Sequence, residues 1–298
     1  MAASANPLPH RIARPGLKAR LRDFYTLTKP EVNLLILMTT SAGYYLGARG
    51  SLNLLGLVNT LLGTLLVASG TATLNQWMER LWDGKMNRTA SRPLPSGRVS
   101  AHQALWFGCI LSTFGGLYLA VMINPMAALL AISTLLSYLL VYTPLKRVTP
   151  LCTLLGAIPG AMPTLIGWSA ASGRIDHAAW FLFAILFLWQ FPHFLAIALM
   201  YQDDYDRAGY RMLPRFDVDS RFTRAEILGF TIILVLTTLV ATVHAGFPYP
   251  AAMSTAGAFF LYHEVRLTKS ASKTLASQVV HASVLYLPAV LLIIVWQR

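Results

Sequence analysis

The sequence has 298 residues, of which 55% are hydrophobic and only 12% charged, which excludes an ordinary water-soluble domain, where about a quarter of residues carry charge. Twenty-four Lys and Arg against twelve Asp and Glu leave a net charge of +12. The cations sit between long apolar stretches, so the expected partner is the lipid bilayer and no nucleic acid.

Residues 1–31 carry Arg11, Arg14, Lys18, Arg20, Arg22 and Lys29 without an apolar core, so they form a basic tail and not a cleavable secretory signal. Within the tail, GLKARLRDFYTLTKP either forms a helix with Leu21, Phe24 and Tyr25 on one face, suited to the headgroup region, or stays partly ordered. Residues 32–298 read as one transmembrane domain. Apolar segments follow at 32–49, 53–77, 104–122, 126–143, 150–170, 178–201, 226–245, 248–265 and 277–296, each near the length of a membrane-spanning helix. The expected fold is therefore an all-α bundle of nine transmembrane helices. Pro159, Pro163, Pro192 and Pro288 fall inside these segments; neighbouring helices in a membrane satisfy the backbone groups that proline frees. Cys109 and Cys152 lie singly in apolar stretches and read as core residues.

Cytoplasmic loops collect Lys and Arg. With the amino terminus inside, nine helices place 21 cations on the cytoplasmic side, and only Arg49, Arg174 and Arg298 on the other. An error of one helix would scramble that split, so the amino terminus is expected in the cytoplasm and the carboxyl terminus in the periplasm. Eleven of the twelve acidic residues share the inner side, Asp176 being the exception. Acidic residues contribute little to orientation, so their gathering needs another cause.

Asn75, Glu79 and Asp83, spaced i, i+4 and i+8, put three oxygen-bearing side chains on one helical face. Hard oxygen ligands suit Mg²⁺, which binds through one or two carboxylates plus substrate phosphates. Arg88 and Arg92 follow and can clamp phosphate oxygens. A second acidic group, Asp203, Asp204 and Asp206, closes the sixth helix with Arg207 and Arg211 beside it; it reads as part of one bridged metal site or as an exposed acidic turn. Lys146 and Arg147 are the inner cations after the fourth helix, which the charge rule alone also explains. Inside the sixth segment, WQFPHF places His193 roughly 15 Å along the helix from Asp203. An intramembrane imidazole is a candidate haem ligand or proton carrier, or else a packed core histidine. Gly156 and Gly160 form a GxxxG, the usual mark of close helix packing.

Together NQWMERLWDGKMNRTASRP, YTPLKR, WQFPHFLAIALMYQDDY and RAGYRMLP resemble the haem-farnesylating branch of the UbiA-type intramembrane prenyltransferases, from LTKPEVNLL onward. The resemblance implies a nine-helix bundle around a lipid-accessible cavity in the inner (plasma) membrane, with Mg²⁺ and a diphosphate held at the cytoplasmic rim. Position by position, it assigns Asn75, Glu79 and Asp83 to the first metal motif and Asp203 and Asp204 to the second. Arg88, Arg92 and Lys146, with Arg147, Arg207 and Arg211 near them, would be the diphosphate cations, and His193 the haem-facing histidine. Glu79 stands where the family pattern usually reads Asp; adjacent Asp203 and Asp204 replace acids four apart, and position 207 is Arg. The implied reaction takes farnesyl diphosphate and haem B to haem O, for a downstream haem A synthase. Rival readings are a relative acting on a quinone precursor or other aromatic acceptor, and a haem or lipid transporter. The transporter is disfavoured by one-sided acidic groups and no internal repeat.

Overall fold

A computed structural model describes residues 16–298; Arg11 and Arg14 of the tail lie outside the described residues. The chain is all-helical: α1 (Leu17–Leu27), α2 (Pro30–Gly47), α3 (Leu54–Asp83), α4 (Ala101–Met122), α5 (Pro125–Leu145), α6 (Cys152–Ser172), α7 (His177–Met200), α8 (Gln202–Ala208), α9 (Arg221–Val240), α10 (Pro248–Lys269) and α11 (Lys273–Trp296). Helix starts follow local chemistry. Asn53, Ser100, Asn124, Asp176 and Ser272 each accept from a backbone N–H of the first turn with their side chains, satisfying donors that a helix leaves free. Gly173, at φ 70°, closes α6 in the left-handed conformation that glycine adopts without penalty.

Each of the nine apolar segments falls on a helix, but α3 runs on to Asp83 and α9 stops at Val240. Among the described residues, seven helices are long and apolar enough to cross a membrane, namely α3, α4, α5, α6, α7, α9 and α11. The expected set of nine is thus cut to seven by that criterion. Helices α2 and α10 have the length, 18 and 22 residues, yet carry polar groups such as Asn33, His263 and Glu264.

Helix α1 is amphipathic with a different face from the expected one. Leu21 and Tyr25 are exposed together with Leu17. Phe24 instead turns inward, its ring edge-on to Phe107 at 5.0 Å, and Leu27 is fully buried against Leu94, Val99 and Ala104. The inward face is fastened at its polar end by Arg98 Nε donating to Asp23 at 2.9 Å.

Helices α2 to α6 form one group, in which α3 packs along α4 and α2 along α6; α7, α9, α10 and α11 form a second, joined to the first through α6 and α7. Small residues set the closest approaches. A Cβ on Gly43 would strike the Thr164 carbonyl, and one on Gly167 the Thr40 carbonyl, so α2 and α6 touch backbone to backbone. Gly156 and Gly160 do something else. They face the Tyr142 ring and the Gln190 amide, making room for side chains that border the central cavity. Gly167→Leu should therefore destabilise the protein by about 1–3 kcal/mol or more through overpacking. An unchanged melting temperature in detergent would show that α2 and α6 stand farther apart.

Candidate functional site

A cavity of about 400 Å³ opens between α2, α3, α5, α6 and α7. Its depth is apolar, lined by Leu35, Ile36, Val67, Ile166, Leu186 and Trp189, with Phe194 and Pro163 among the walls. Its rim is charged: Lys29, Asn75, Glu79, Asp83, Arg88, Arg92 and Lys146 all border it, with Tyr205 and Tyr210. The helical spacing of Asn75, Glu79 and Asp83 on α3 does what the periodicity dictates, aligning all three on the wall.

Glu79 is the hub. Lys146 Nζ donates to its Oε1 and Oε2 at 2.9 and 3.2 Å, Tyr210 Oη to Oε1 at 3.1 Å, and Asn75 Nδ2 to Oε2 at 3.0 Å. The carboxylate is only 6% exposed, and four donor contacts on a buried anion are what its desolvation requires. Desolvation pulls the Lys146 ammonium down, but the Glu79 charge outweighs it and holds Lys146 well above its ordinary value. Tyr210 is pushed up by burial and then by the Glu79 charge, so its phenol keeps the proton it donates. Asp83, 1% exposed, accepts from Arg92 Nη1 at 2.8 Å.

The positioning of Asn75 draws on two elements. Its Nδ2 also donates to Thr143 Oγ1 at 3.1 Å, and Thr143 follows a π-helical stretch, Ser137–Tyr142, within α5. Such a bulge adds a residue to the turn and re-aims the side chains around it; here Tyr138 and Tyr142 of the bulge border the cavity. From the other side, Lys29 Nζ donates to Asn75 Oδ1 at 3.2 Å. Lys29 sits in the left-handed region, φ 51°, ahead of Pro30, and the corner is bolted to α3 by Gln76 Nε2 donating to Leu27 O at 2.7 Å. Desolvation, then the Arg92 guanidinium, lowers Lys29 to about 7.

Of the sequence-predicted residues, Asn75, Glu79, Asp83, Arg88, Arg92 and Lys146 are brought together on the cavity. The others are placed elsewhere. Arg147 stacks on the Trp82 ring at 3.8 Å. Arg211 reaches Val148 O at 3.4 Å, Arg207 pairs with Asp204, and Asp203, exposed, pairs with Lys273 at 2.6 Å. Asp204 is buried and accepts from the backbone N–H groups of Asn87 and Arg88. None of these five borders the cavity. Lys29, Thr143, Tyr205 and Tyr210 were missed. The dipeptide Lys29-Pro30 at a helix start was the available sign for the first, whereas nothing local marks the tyrosines.

His193 also stands off the cavity. Its Nδ1 lies 2.8 Å from Ser283 Oγ on α11, and its ring stacks on Trp189 at 4.6 Å; Trp189, which does border the cavity, donates to Ser283 O at 2.7 Å. His193→Ala should cost roughly 1–3 kcal/mol of stability by removing the ring that hydrogen-bonds Ser283 and stacks on Trp189, while diphosphate binding at the charged rim is retained. Melting temperature and titration of the purified variant check both halves, and lost diphosphate binding would tie His193 to the rim instead.

The rim offers an oxygen-donor wall beside a fan of cations, above an apolar tunnel floor. Two carboxylates and an amide oxygen on one wall fit a hard divalent cation shared with substrate phosphates. Among the described residues no three His, Cys, Asp or Glu side chains gather as a metal site by themselves.

Residues 36–287 match the UbiA prenyltransferase family. The chain is 47% identical over 281 residues to the protoheme IX farnesyltransferase of Solibacter usitatus, covering 91% of this chain and 96% of that relative. It is 40% identical over 302 residues to the protoheme IX farnesyltransferase of Koribacter versatilis, covering 97% of each. In fold it is similar to a digeranylgeranylglyceryl phosphate synthase, with a TM-score of 0.75 at 18% identity over 94% of this chain and 98% of that one. A UbiA homologue from Archaeoglobus fulgidus bound to GPP and Mg²⁺ has a TM-score of 0.64 at 15% identity, covering 91% of this chain and 99% of that one. With the family model matching residues 36–287 and relatives 40–47% identical covering more than nine tenths of its length, the chain belongs to the UbiA prenyltransferase family.

Proposed function

We propose that this protein transfers the farnesyl group of farnesyl diphosphate to a vinyl group of haem B, giving haem O. The observation that carries it is the cavity, with cations and carboxylates at the rim and an apolar floor sunk between membrane-spanning helices. A diphosphate matches the rim and an isoprenoid the floor. The acceptor follows from the farnesyltransferases to which the chain is 37–47% identical over most of its length.

In the reaction the C1–O bond breaks with its electron pair leaving on the diphosphate. The vinyl π pair forms the new carbon–carbon bond to C1, and water adds to the resulting cationic carbon with loss of a proton. Asn75, Glu79 and Asp83 would hold Mg²⁺, which supplies positive charge against the departing diphosphate. Arg88, Arg92, Lys146 and Lys29 orient the diphosphate and balance the charge that grows as it leaves, the effect that usually contributes most to catalysis. The apolar floor, with Trp189 and Phe194, keeps water from the electrophilic carbon until the new bond has formed. Arg147, Arg207, Arg211 and Asp203 stand back from the diphosphate and hold the cytoplasmic loops. His193 acts on the acceptor side, through Trp189.

The topology goes with this reading: nine spans, including α2 and α10, in the cell inner membrane, amino terminus inside. A reporter after Arg298 should be periplasmic and reporters near residues 90 and 215 cytoplasmic; a cytoplasmic carboxyl terminus would overturn it. The product keeps a farnesyl tail and so stays in the bilayer, where a haem A synthase would receive it. Mass analysis of haems from cells lacking haem O tests the function. Expression should restore haem O, and chelating Mg²⁺ in purified enzyme should stop diphosphate release. Prenylated aromatics without haem O would instead favour a quinone-precursor enzyme.

A further inference from the structure

We infer that Asp204 is a positioning residue that clamps the 84–97 loop so that Arg88 faces the cavity, and that it binds no metal. The inference rests on the diphosphate site proposed above. Three donors already converge on the buried Asp204 carboxylate: the Asn87 N–H to Oδ1 and the Arg88 N–H to Oδ2, each at 3.2 Å, and Arg207 Nη2 to Oδ1. Glu79 is held by side chains that border the cavity, whereas Asp204 is tied to two backbone N–H groups of the loop itself, which a cation could take over only by unfastening the loop. The group also stands off the cavity that Glu79 and Asp83 line.

What Asp204 holds is a bordering residue. Its neighbour Tyr205 accepts from Arg88 Nη2 at 2.8 Å, and the Arg88 guanidinium lies over the Tyr201 and Tyr205 rings at 4.9 and 5.0 Å. Backbone and side chain of Arg88 are thus fixed by residues of one short stretch, 201–205, across 116 residues of sequence. The same loop is pinned at its start by Thr89 Oγ1 donating to Asp83 O at 2.7 Å, so the clamp bears on the wall that carries the carboxylates. Arg207 then has a plain purpose. It neutralises the Asp204 charge that two backbone amides alone would leave buried, which accounts for a cation at this position of the second acidic motif.

The test compares Asp204→Ala, Asp204→Asn, Arg88→Ala and the Asp204→Ala/Arg88→Ala double variant of the full-length protein. Loss of a charge-assisted bond should raise KM for farnesyl diphosphate on the order of tenfold to a hundredfold. The Mg²⁺ concentration for half-maximal rate should stay within about twofold of wild type. The double variant should be no worse than Arg88→Ala alone, because both changes remove one function. Amide hydrogen exchange at residues 87–88 should accelerate in Asp204→Ala, and less in Asp204→Asn, which keeps one acceptor oxygen. Exchange needs neither substrate nor turnover, so it decides the clamp even if the proposed reaction proves wrong. A Mg²⁺ requirement raised tenfold or more, with unchanged exchange at 87–88, would overturn the inference and make Asp204 a metal ligand.

Discussion

Glu79→Gln should abolish measurable farnesyl transfer and lower stability by about 3–5 kcal/mol, because it strands the Lys146 ammonium beside a neutral amide. Lys146 Nζ is 12% exposed at its side chain, too little for water to replace the lost partner. Adding Lys146→Met removes the stranded charge, so the double variant should recover much of the melting temperature and none of the turnover. Recovery of turnover would show that the pair only braces the helices. Glu79→Asp is informative as well. Charge is conserved, but the carboxylate withdraws by one methylene from Lys146, Tyr210 and Asn75 together. The sequence pattern alone tolerates Asp here, whereas the four-way contact calls for an intermediate loss, read as a lower kcat with a smaller fall in melting temperature than Glu79→Gln.

Asp83→Asn should leave the fold nearly intact and reduce turnover by roughly 10²–10³-fold. The difference from Glu79 lies in the partner. Arg92 is 26% exposed at its side chain and can turn to water when Asp83 loses its charge, so little stability is at stake. What is lost is a carboxylate, 1% exposed, on the wall facing the diphosphate. Single-turnover rates at saturating haem and varied Mg²⁺ measure it. Wild-type rates at limiting Mg²⁺ would remove Asp83 from the metal-binding set.

Much of the helical frame was legible in the amino acids. Length, apolar runs and charge placement located segments that all fall on helices, since in hydrocarbon the backbone has almost no other way to satisfy its own hydrogen bonds. The same holds for the first half of the site. Asn75, Glu79 and Asp83 lie on one helix, and a period of 3.6 residues determines that they share a face wherever that helix packs.

Only the tertiary structure decided which residues meet across helices. Lys146 and Tyr210 reach Glu79 from 67 and 131 residues away, and Lys29 reaches Asn75 from 46; no local pattern encodes such distances. Nor could composition sort the cations. Arg88 and Arg147 look alike as basic residues just past inner helix ends, yet one is caged over the cavity by two tyrosines and the other is held off it by Trp82. His193 teaches the same point within a single helix. Its depth in the membrane follows from counting residues, but whether its ring meets the cavity or α11 depends on helix rotation, and Ser283 of α11 decides it. Periodicity sets which side chains travel together on a helix, while packing of one helix against another sets where that face points.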